Sequence, residues 1–362
     1  MLKTKILYLN KSPYENGRLS GEYFKNNVKI DIEDIKNLLL NNSIKNKIKI
    51  QLNNLKKEYP KYYDEVIGKA DGLGIDRLNY FAILCPEITD INFEHCTTIM
   101  CKKDNGNYII SHNEDDDYIE GNFCLSKVMI DDNNWFVTND MYNMPFGNGI
   151  SWNSYGIVKT INYCHDENIN LDNYSRYFSQ RHISEAKSID DLISRCKMMK
   201  VASGFHINAI DINNNIAASI EVYSDGVDVE YIDNYCIHSN HYIHKEYLNN
   251  PKIDNGSNSI FRLNKAKELF DKSNKNLADI KNILNYRSDE NKFEKSILQT
   301  KDDPYITLFN FSFDTENKNT IYLNSYTNNE IIELKYDLWN KQNFMDMYQK
   351  KQQSLEYGLL KY

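Results

Sequence analysis

The stretch FEHCTTIMCKKDNGNYIISHNEDDD, residues 93–117, decides how this chain is read. A thiol, Cys96, is followed by Thr97, Thr98 and a short apolar run. Lys103-Asp104-Asn105-Gly106-Asn107 interrupts the run, and Tyr108 to His112 resumes it. Asn-Gly between two such segments is a strong hairpin signal, because both residues tolerate the positive φ that a tight turn needs. The hairpin sets His112-Asn113-Glu114-Asp115 beside the start of its first strand. A Cys nucleophile needs a base and a group to hold the developing oxyanion. If the bond between His95 and Cys96 is cut, Cys96 gains an α-amine titrating near ~7.7–8.0, which can serve as base for its own thiol. A carboxylate at the end of the second strand, Asp115, would hydrogen-bond that amine and orient it. Cys96 is thus read as the first residue of a second chain.

Outward from this hairpin the pattern differs on the two sides. Before it, apolar residues at three- and four-residue steps (Ile35, Leu38, Leu39, Ile44, Ile48, Leu52, Leu55) predict helix over 32–55, broken near Asn41-Asn42-Ser43. Residues 13–17 read as a turn and 19–28 as a helix. A further helix spans 61–70, opened by Pro60 and ended by Gly72 and Gly74. After it, strands are expected at 124–130, 135–138, 207–212, 216–223, 227–232, 305–313, 320–324 and 331–336, with helices at 188–199 and 259–271. Strands and helices are segregated, without regular βαβ alternation. That predicts an α+β fold with antiparallel sheets.

The chain has 362 residues, enough for a large core. Its net charge of −8 leaves no basic footprint, so nucleic acid is not an expected partner. No apolar run has the length of a signal peptide or a membrane span. Cys85, Cys96, Cys101, Cys124, Cys164, Cys196 and Cys236 are odd in number and lack CxxC spacing. That suits reduced thiols and a cytoplasmic location. His238, His241 and His244 recur every third residue, but no Cys or Glu accompanies them at ligand spacing, and no metal is expected. The Asp115-Asp116-Asp117 run lacks the spacing and central Gly of a calcium loop.

An ordered series of segments resembles the isopenicillin-N acyltransferase-like family of cysteine N-terminal-nucleophile (Ntn) hydrolases. It comprises Pro13-Tyr14-Glu15-x-Gly17, Tyr59-Pro60-Lys61-Tyr62-Tyr63-x-Glu65, Cys96-Thr97-Thr98, Asn113-x-Asp115, Asn153-Ser154-x-Gly156 with Asn162, His238-Ser239-Asn240-His241, and Thr307-Leu308-Phe309-Asn310. The resemblance implies an αββα four-layer sandwich with an N-terminal helical segment. It implies self-cleavage at His95–Cys96, giving a helical fragment 1–95 and a catalytic fragment 96–362 that remain associated. Carried over by motif, Cys96 is the nucleophile, Thr98 supports cleavage, Asp115 orients the amine and Asn240 donates to the oxyanion. Asn162, Arg262, Asn113 and Glu114 line the substrate site. No cofactor is implied.

The sequence departs from the family at His95, where the family has Gly, and at Asp303-Pro304-Tyr305-Ile306, where it has an Arg. Glu114, Asp116 and Asp117 give an acidic surround in place of aromatic residues. That favours a cationic amine in the substrate by charge complementarity. The expected activity is hydrolysis of a linear amide through an acyl-thioester. An amine acceptor in place of water would make the protein an acyltransferase of secondary metabolism. A non-catalytic or metal-binding protein of the same fold is the third reading, and a homo-oligomer stays open.

Overall fold

The computed structural model describes residues 4–89, 95–116, 123–164, 168–244, 258–317 and 320–340. After a short strand, β1 (Ile6–Leu9), the first part is helical: α1 (Pro13–Asn27), α2 (Glu33–Leu38), α3 (Asn42–Glu58), α4 (Pro60–Leu73), α5 (Arg77–Ile83) and the single turn α6 (Pro86–Thr89). The turn expected at 13–17 is the first turn of α1. Ser12 caps it by accepting from Glu15 N–H, and Pro13 takes a position whose N–H has no helical partner in any case. Asn41 does break the next helical stretch. Its side-chain oxygen accepts from Ser43 and Ile44 N–H and so caps α3. Gly74, at φ 75°, ends α4 as expected. Gly72 does not. It lies inside α4 where α1 crosses, and a Cβ there would come 2.2 Å from the Arg18 carbonyl oxygen.

From His95 the chain turns to strands. β2 (His95–Lys102), β3 (Tyr108–Asp116), β4 (Phe123–Met129), β5 (Trp135–Met141), β6 (Ser151–Asn153) and β7 (Ile157–Tyr163) come first. Two helices follow, α7 (Arg176–Ile183) and α8 (Ile189–Met198), then β8 (Phe205–Asp211), β9 (Ile216–Val222), β10 (Val227–Tyr231) and β11 (Tyr235–His238). Helices α9 (Ser259–Asp271) and α10 (Leu277–Leu284) precede β12 (Ile306–Asp314), β13 (Thr320–Ser325) and β14 (Glu330–Lys335). The unexpected elements β1, β11, α5, α6, α7 and α10 are all short, and a short element shows too little of its period to be read.

The strands form two sheets, an eight-stranded one ordered β1-β4-β5-β6-β7-β8-β9-β10 and a six-stranded one ordered β11-β2-β3-β12-β13-β14. This is an α+β architecture with two large sheets. β1 runs parallel to β4, and the other pairings among the described strands are antiparallel. One core cluster joins Met100, Ile110, Phe309, Phe311 and Phe313 of the six-stranded sheet to Phe123, Leu125, Trp135, Val137 and Trp152 of the other. Phe123 meets Phe309 at 4.9 Å between ring centroids, and Trp152 stacks on Phe311 at 5.8 Å. Burying each such side chain contributes roughly 1.5–3 kcal/mol. Helices α9 and α10 cover Ile99, Cys101, Ile109 and Ile237 on the other side of the six-stranded sheet. Residues of α8 pack on Ile161, Phe205, Ile207 and Ile220 of the eight-stranded sheet. No helix among the described residues is long and apolar enough to cross a membrane.

Side chains alternate along a strand, so the core positions Met100 and Ile110 place Cys96, Thr98, His112 and Glu114 on the same inward face. The layer between the sheets is therefore divided. It is apolar beneath β12–β14. Beneath the Cys96–Thr98 end of β2 and the His112–Glu114 end of β3 it is polar, where Thr160, Asn162, His206, Asn208, Ser219 and Glu221 come up from β7–β9.

Candidate active site

The β2–β3 register pairs His95 with Asp115, Cys96 with Glu114, Thr97 with Asn113 and Thr98 with His112. Alternate pairs point to opposite faces, so the hairpin carries two sets of polar groups. On the inner face, Cys96 Sγ lies 3.5 Å from Glu114 Oε1, and Glu114 Oε2 lies 3.2 Å from His112 Nε2. His112 Nδ1 is 2.7 Å from Thr98 Oγ1, and that hydroxyl donates to Asn162 Oδ1 of β7 at 2.7 Å. Five side chains thus connect the thiol to the facing sheet. All are buried, and burial pushes the His112 imidazole down to about 3, which leaves it neutral near pH 7.

The outer face is organised by Arg262 of α9. Its guanidinium donates to Cys96 O at 2.6 Å, Thr97 Oγ1 at 2.7 Å, Asn240 Oδ1 at 2.6 Å and Asn258 Oδ1 at 2.7 Å. Asn240 Oδ1 also accepts from Cys96 N–H at 3.0 Å. Arg262 is expected at the substrate; the structure places it on the backbone of Cys96. Asn113 turns to α10, donating to Leu284 O at 2.9 Å, and accepts from Asn310. Asp115 accepts from Thr307 Oγ1 at 2.6 Å, and its other oxygen is buried without a partner among the described residues. Burial pushes its carboxyl up to about 6, against the pull of Arg262. His95 lies over Tyr305 at 4.0 Å between rings, and burial lowers its imidazole to about 3. Glu114 and Asp116 are buried, not part of a solvated rim, because both belong to a strand covered on its two faces. Asp117 lies outside the described residues.

Asn240 is held from three sides. Its Nδ2 donates to Tyr163 O at 3.0 Å, and its N–H donates to Ser259 Oγ at 2.8 Å. The segment that carries it is tied down by Glu221 of β9, a residue absent from the sequence-based candidates. Glu221 accepts from His238 Nε2 (3.1 Å), Ile243 N–H (2.6 Å), His244 N–H (3.2 Å) and Tyr223 O–H (2.7 Å). Burial pushes this carboxyl up, but the hydrogen bond and charge of His238, with His244, hold it below its ordinary value. His238 stacks on His206 at 3.5 Å, and Ser219 Oγ bridges His206 and His244. A carboxylate does meet this His-rich segment, contrary to expectation. It comes from a distant strand, which local spacing does not reveal. His241 turns away to Ser259.

Beside the thiol network lies a group of buried polar atoms with no partner among the described residues: Asn162 Nδ2, Thr160 Oγ1, Asn208 Oδ1, Asn139 Oδ1 and Asn148 Nδ2. Thr160 and Asn208 are register partners on one face. Gly149 borders the same region, and a Cβ there would stand 3.2 Å from Glu114 Oε2. Buried polar groups are nearly always satisfied, so this cluster marks where water or a ligand completes the hydrogen bonds. The arrangement can hold a thiol beside a carboxylate, with amide and hydroxyl groups close by.

The family model for acyl-coenzyme A:6-aminopenicillanic acid acyl-transferase matches residues 101–328, more than half of the chain. The chain belongs to that family. Membership makes it an acyl-transferring enzyme. Comparison with curated proteins returns no match. The part of the chain matched to the acyltransferase family includes Asn113, Glu114, Asp115, Asn162, Asn240 and Arg262, and it begins after Cys96 and Thr98.

Proposed function

We propose that the chain is a self-processing N-terminal-cysteine amidohydrolase built as an αββα sandwich. Cleavage between His95 and Cys96 divides it into a helical segment, 1–95, and a catalytic fragment, 96–362, which stay together. The layering is supported by helix clusters against the outer faces of both sheets. The observation that carries the functional reading is the treatment of Cys96. Its nitrogen is held 3.0 Å from Asn240 Oδ1, its carbonyl 2.6 Å from Arg262 and its thiol 3.5 Å from Glu114. Three side chains from separate elements converge on one residue.

In this proposal the α-amine freed by cleavage stays on Asn240 Oδ1 and takes the thiol proton. The thiolate attacks a linear amide carbonyl, and the oxyanion is met by the Asn162 amide and Asn240. As the C–N bond breaks, the amine leaves with that proton and a thioester remains on Cys96. Water then releases the acid and restores the thiol. Thr98 and Asn162 fix the ring of His112 beside Glu114, which faces the substrate and favours an amine-bearing one. Asp115 sets the charge around the α-amine from the outer face, together with Arg262. The test is the denatured intact mass of wild type beside Cys96→Ala. Two fragments parting before Cys96 in the wild type and one uncut chain in the variant are expected; a single mass for both sinks the reading. Acetylating the substrate's free amine should lower kcat/KM, and indifference to it removes the cationic-substrate part. A second reading, transfer of the acyl group to an amine, is favoured by the family match. It predicts that an added amine acceptor diverts product from acid to new amide.

A further inference from the structure

We infer that the inner face of the β2–β3 hairpin binds a zinc-type divalent cation through Cys96 Sγ, His112 Nε2 and the Glu114 carboxylate, and that the bound ion silences the thiol. These three residues bring their ligand atoms within 4.8 Å of one another, all buried. A tetrahedral zinc ion with bonds of ~2.0–2.3 Å has ligand–ligand edges of roughly 3.3–3.8 Å. Cys96 Sγ lies 3.5 Å from Glu114 Oε1 and His112 Nε2 lies 3.2 Å from Glu114 Oε2, so each neighbour meets the carboxylate at about that separation, through a different oxygen.

The hydrogen bonds at the other ring nitrogen of His112 favour the same ion. The Thr98 hydroxyl donates to Asn162 Oδ1, so it accepts from His112 Nδ1–H. With Nδ1 given to Thr98, Nε2 is the nitrogen left for a metal, and it faces Glu114 Oε2 at 3.2 Å. A ligating His is characteristically oriented by such a bond at its other nitrogen, and here Thr98 and Asn162 supply it. Charge closes as well. A dication with one thiolate and one carboxylate is neutral overall, which suits a site of this burial. Thiolate and imidazole select zinc-type ions, whereas magnesium and calcium require more oxygen ligands than the site offers.

Binding displaces the thiol proton to solvent and forms the metal–sulfur bond, with no change of oxidation state. In the uncut chain a water completes the tetrahedron. In the cut chain the α-amine of Cys96 can do so, closing a chelate ring with its own sulfur. The three side-chain ligands do not depend on cleavage; the silencing of activity rests on Cys96 being the nucleophile.

The test is a cobalt(II) titration of the chelator-treated, reduced full chain, with the cut enzyme in parallel. A thiolate-to-cobalt charge-transfer band and intense tetrahedral bands, saturating at one equivalent and displaced by zinc, are expected. Cys96→Ser should abolish the charge-transfer band, and Cys101→Ser, on the outer face, should leave it. His112→Gln and Glu114→Gln should each weaken binding at least ~10-fold. A weak octahedral spectrum, or a band that survives Cys96→Ser, overturns the inference. The isosteric Cys96→Ser chain keeps the test decisive if the other variants fold poorly. Cleavage by mass without cobalt binding removes only the metal site. Cobalt binding to a chain that never cleaves removes only the catalytic reading.

Discussion

The two faces of the β2–β3 hairpin are made of the same kinds of residue in strict alternation, and they are arranged for different work. The inner face carries Cys96, Thr98, His112 and Glu114 as one connected network under the facing sheet. The outer face carries His95, Thr97, Asn113 and Asp115 against α9, α10 and β12. One Arg and one Asn link the two by holding the Cys96 backbone. The difference teaches that sequence adjacency is a poor guide to chemical adjacency in a strand. Glu114 and Asp115 are neighbours in the chain and stand on opposite sides of the sheet.

Four substitutions set the two faces against each other. The largest effect is expected for Cys96→Ala, which should stop cleavage and lower kcat/KM on the order of 10⁴–10⁶-fold, as loss of a covalent nucleophile does. Processing by mass and turnover of an amide substrate check it. Arg262→Met comes next. It deprives Cys96 O, Thr97 and Asn240 of a buried donor and leaves Asp115 without its cation, at a cost of ~3–5 kcal/mol. Urea unfolding of the uncut chain, in a Cys96→Ala background, measures this without interference from processing.

Glu114→Gln is the inner-face test. It should slow the reaction by ~10²–10³-fold while the unfolding free energy stays within ~1 kcal/mol of wild type. A variant with full activity would take Glu114 out of the mechanism. Asp115→Asn is its outer-face counterpart and should show as a pH effect on stability. The Asp115 carboxyl sits near 6 in the fold against an ordinary value of 3.8. Between those values the unfolded chain binds fewer protons than the folded one, so wild-type stability falls as pH rises. The Asn variant lacks that loss and should gain ~2 kcal/mol relative to wild type between pH 4 and pH 7. Unfolding of both chains in the uncut background, at several pH values, decides it. A flat difference would mean that Asp115 does not carry the cost of burial, and the contrast between the faces would lose its outer half.

Much of the fold was legible because it rests on local signals. Asn105-Gly106 marks the hairpin, and the helical period over 32–55 marks α2 and α3 with a break where Asn41 caps. Segregation of helices and strands gave the α+β class. The short elements escaped because four to eight residues show little period. Gly72 misled because a glycine can serve a helix crossing as well as a helix end, and only the position of α1 distinguishes the two. In the site, Cys96, Thr98, Asn162 and Asn240 were nameable from motif, and the structure brings them together. Glu221, Ser219 and His206 were not, because they lie on strands whose own neighbourhoods look like ordinary alternation.

By itself the amino-acid sequence determined which residues could do chemistry and that a hairpin would bring a thiol near carboxylates. Tertiary structure decided which carboxylate meets the thiol, which His stays neutral, and that Arg262 serves the backbone of Cys96. The reason is physical. Local sequence sets dihedral preferences and periodicity, but which face of a strand meets solvent, helix or facing sheet depends on packing between elements far apart in the chain. Burial, which moves Asp115 up and His112 down, exists only once those elements have come together.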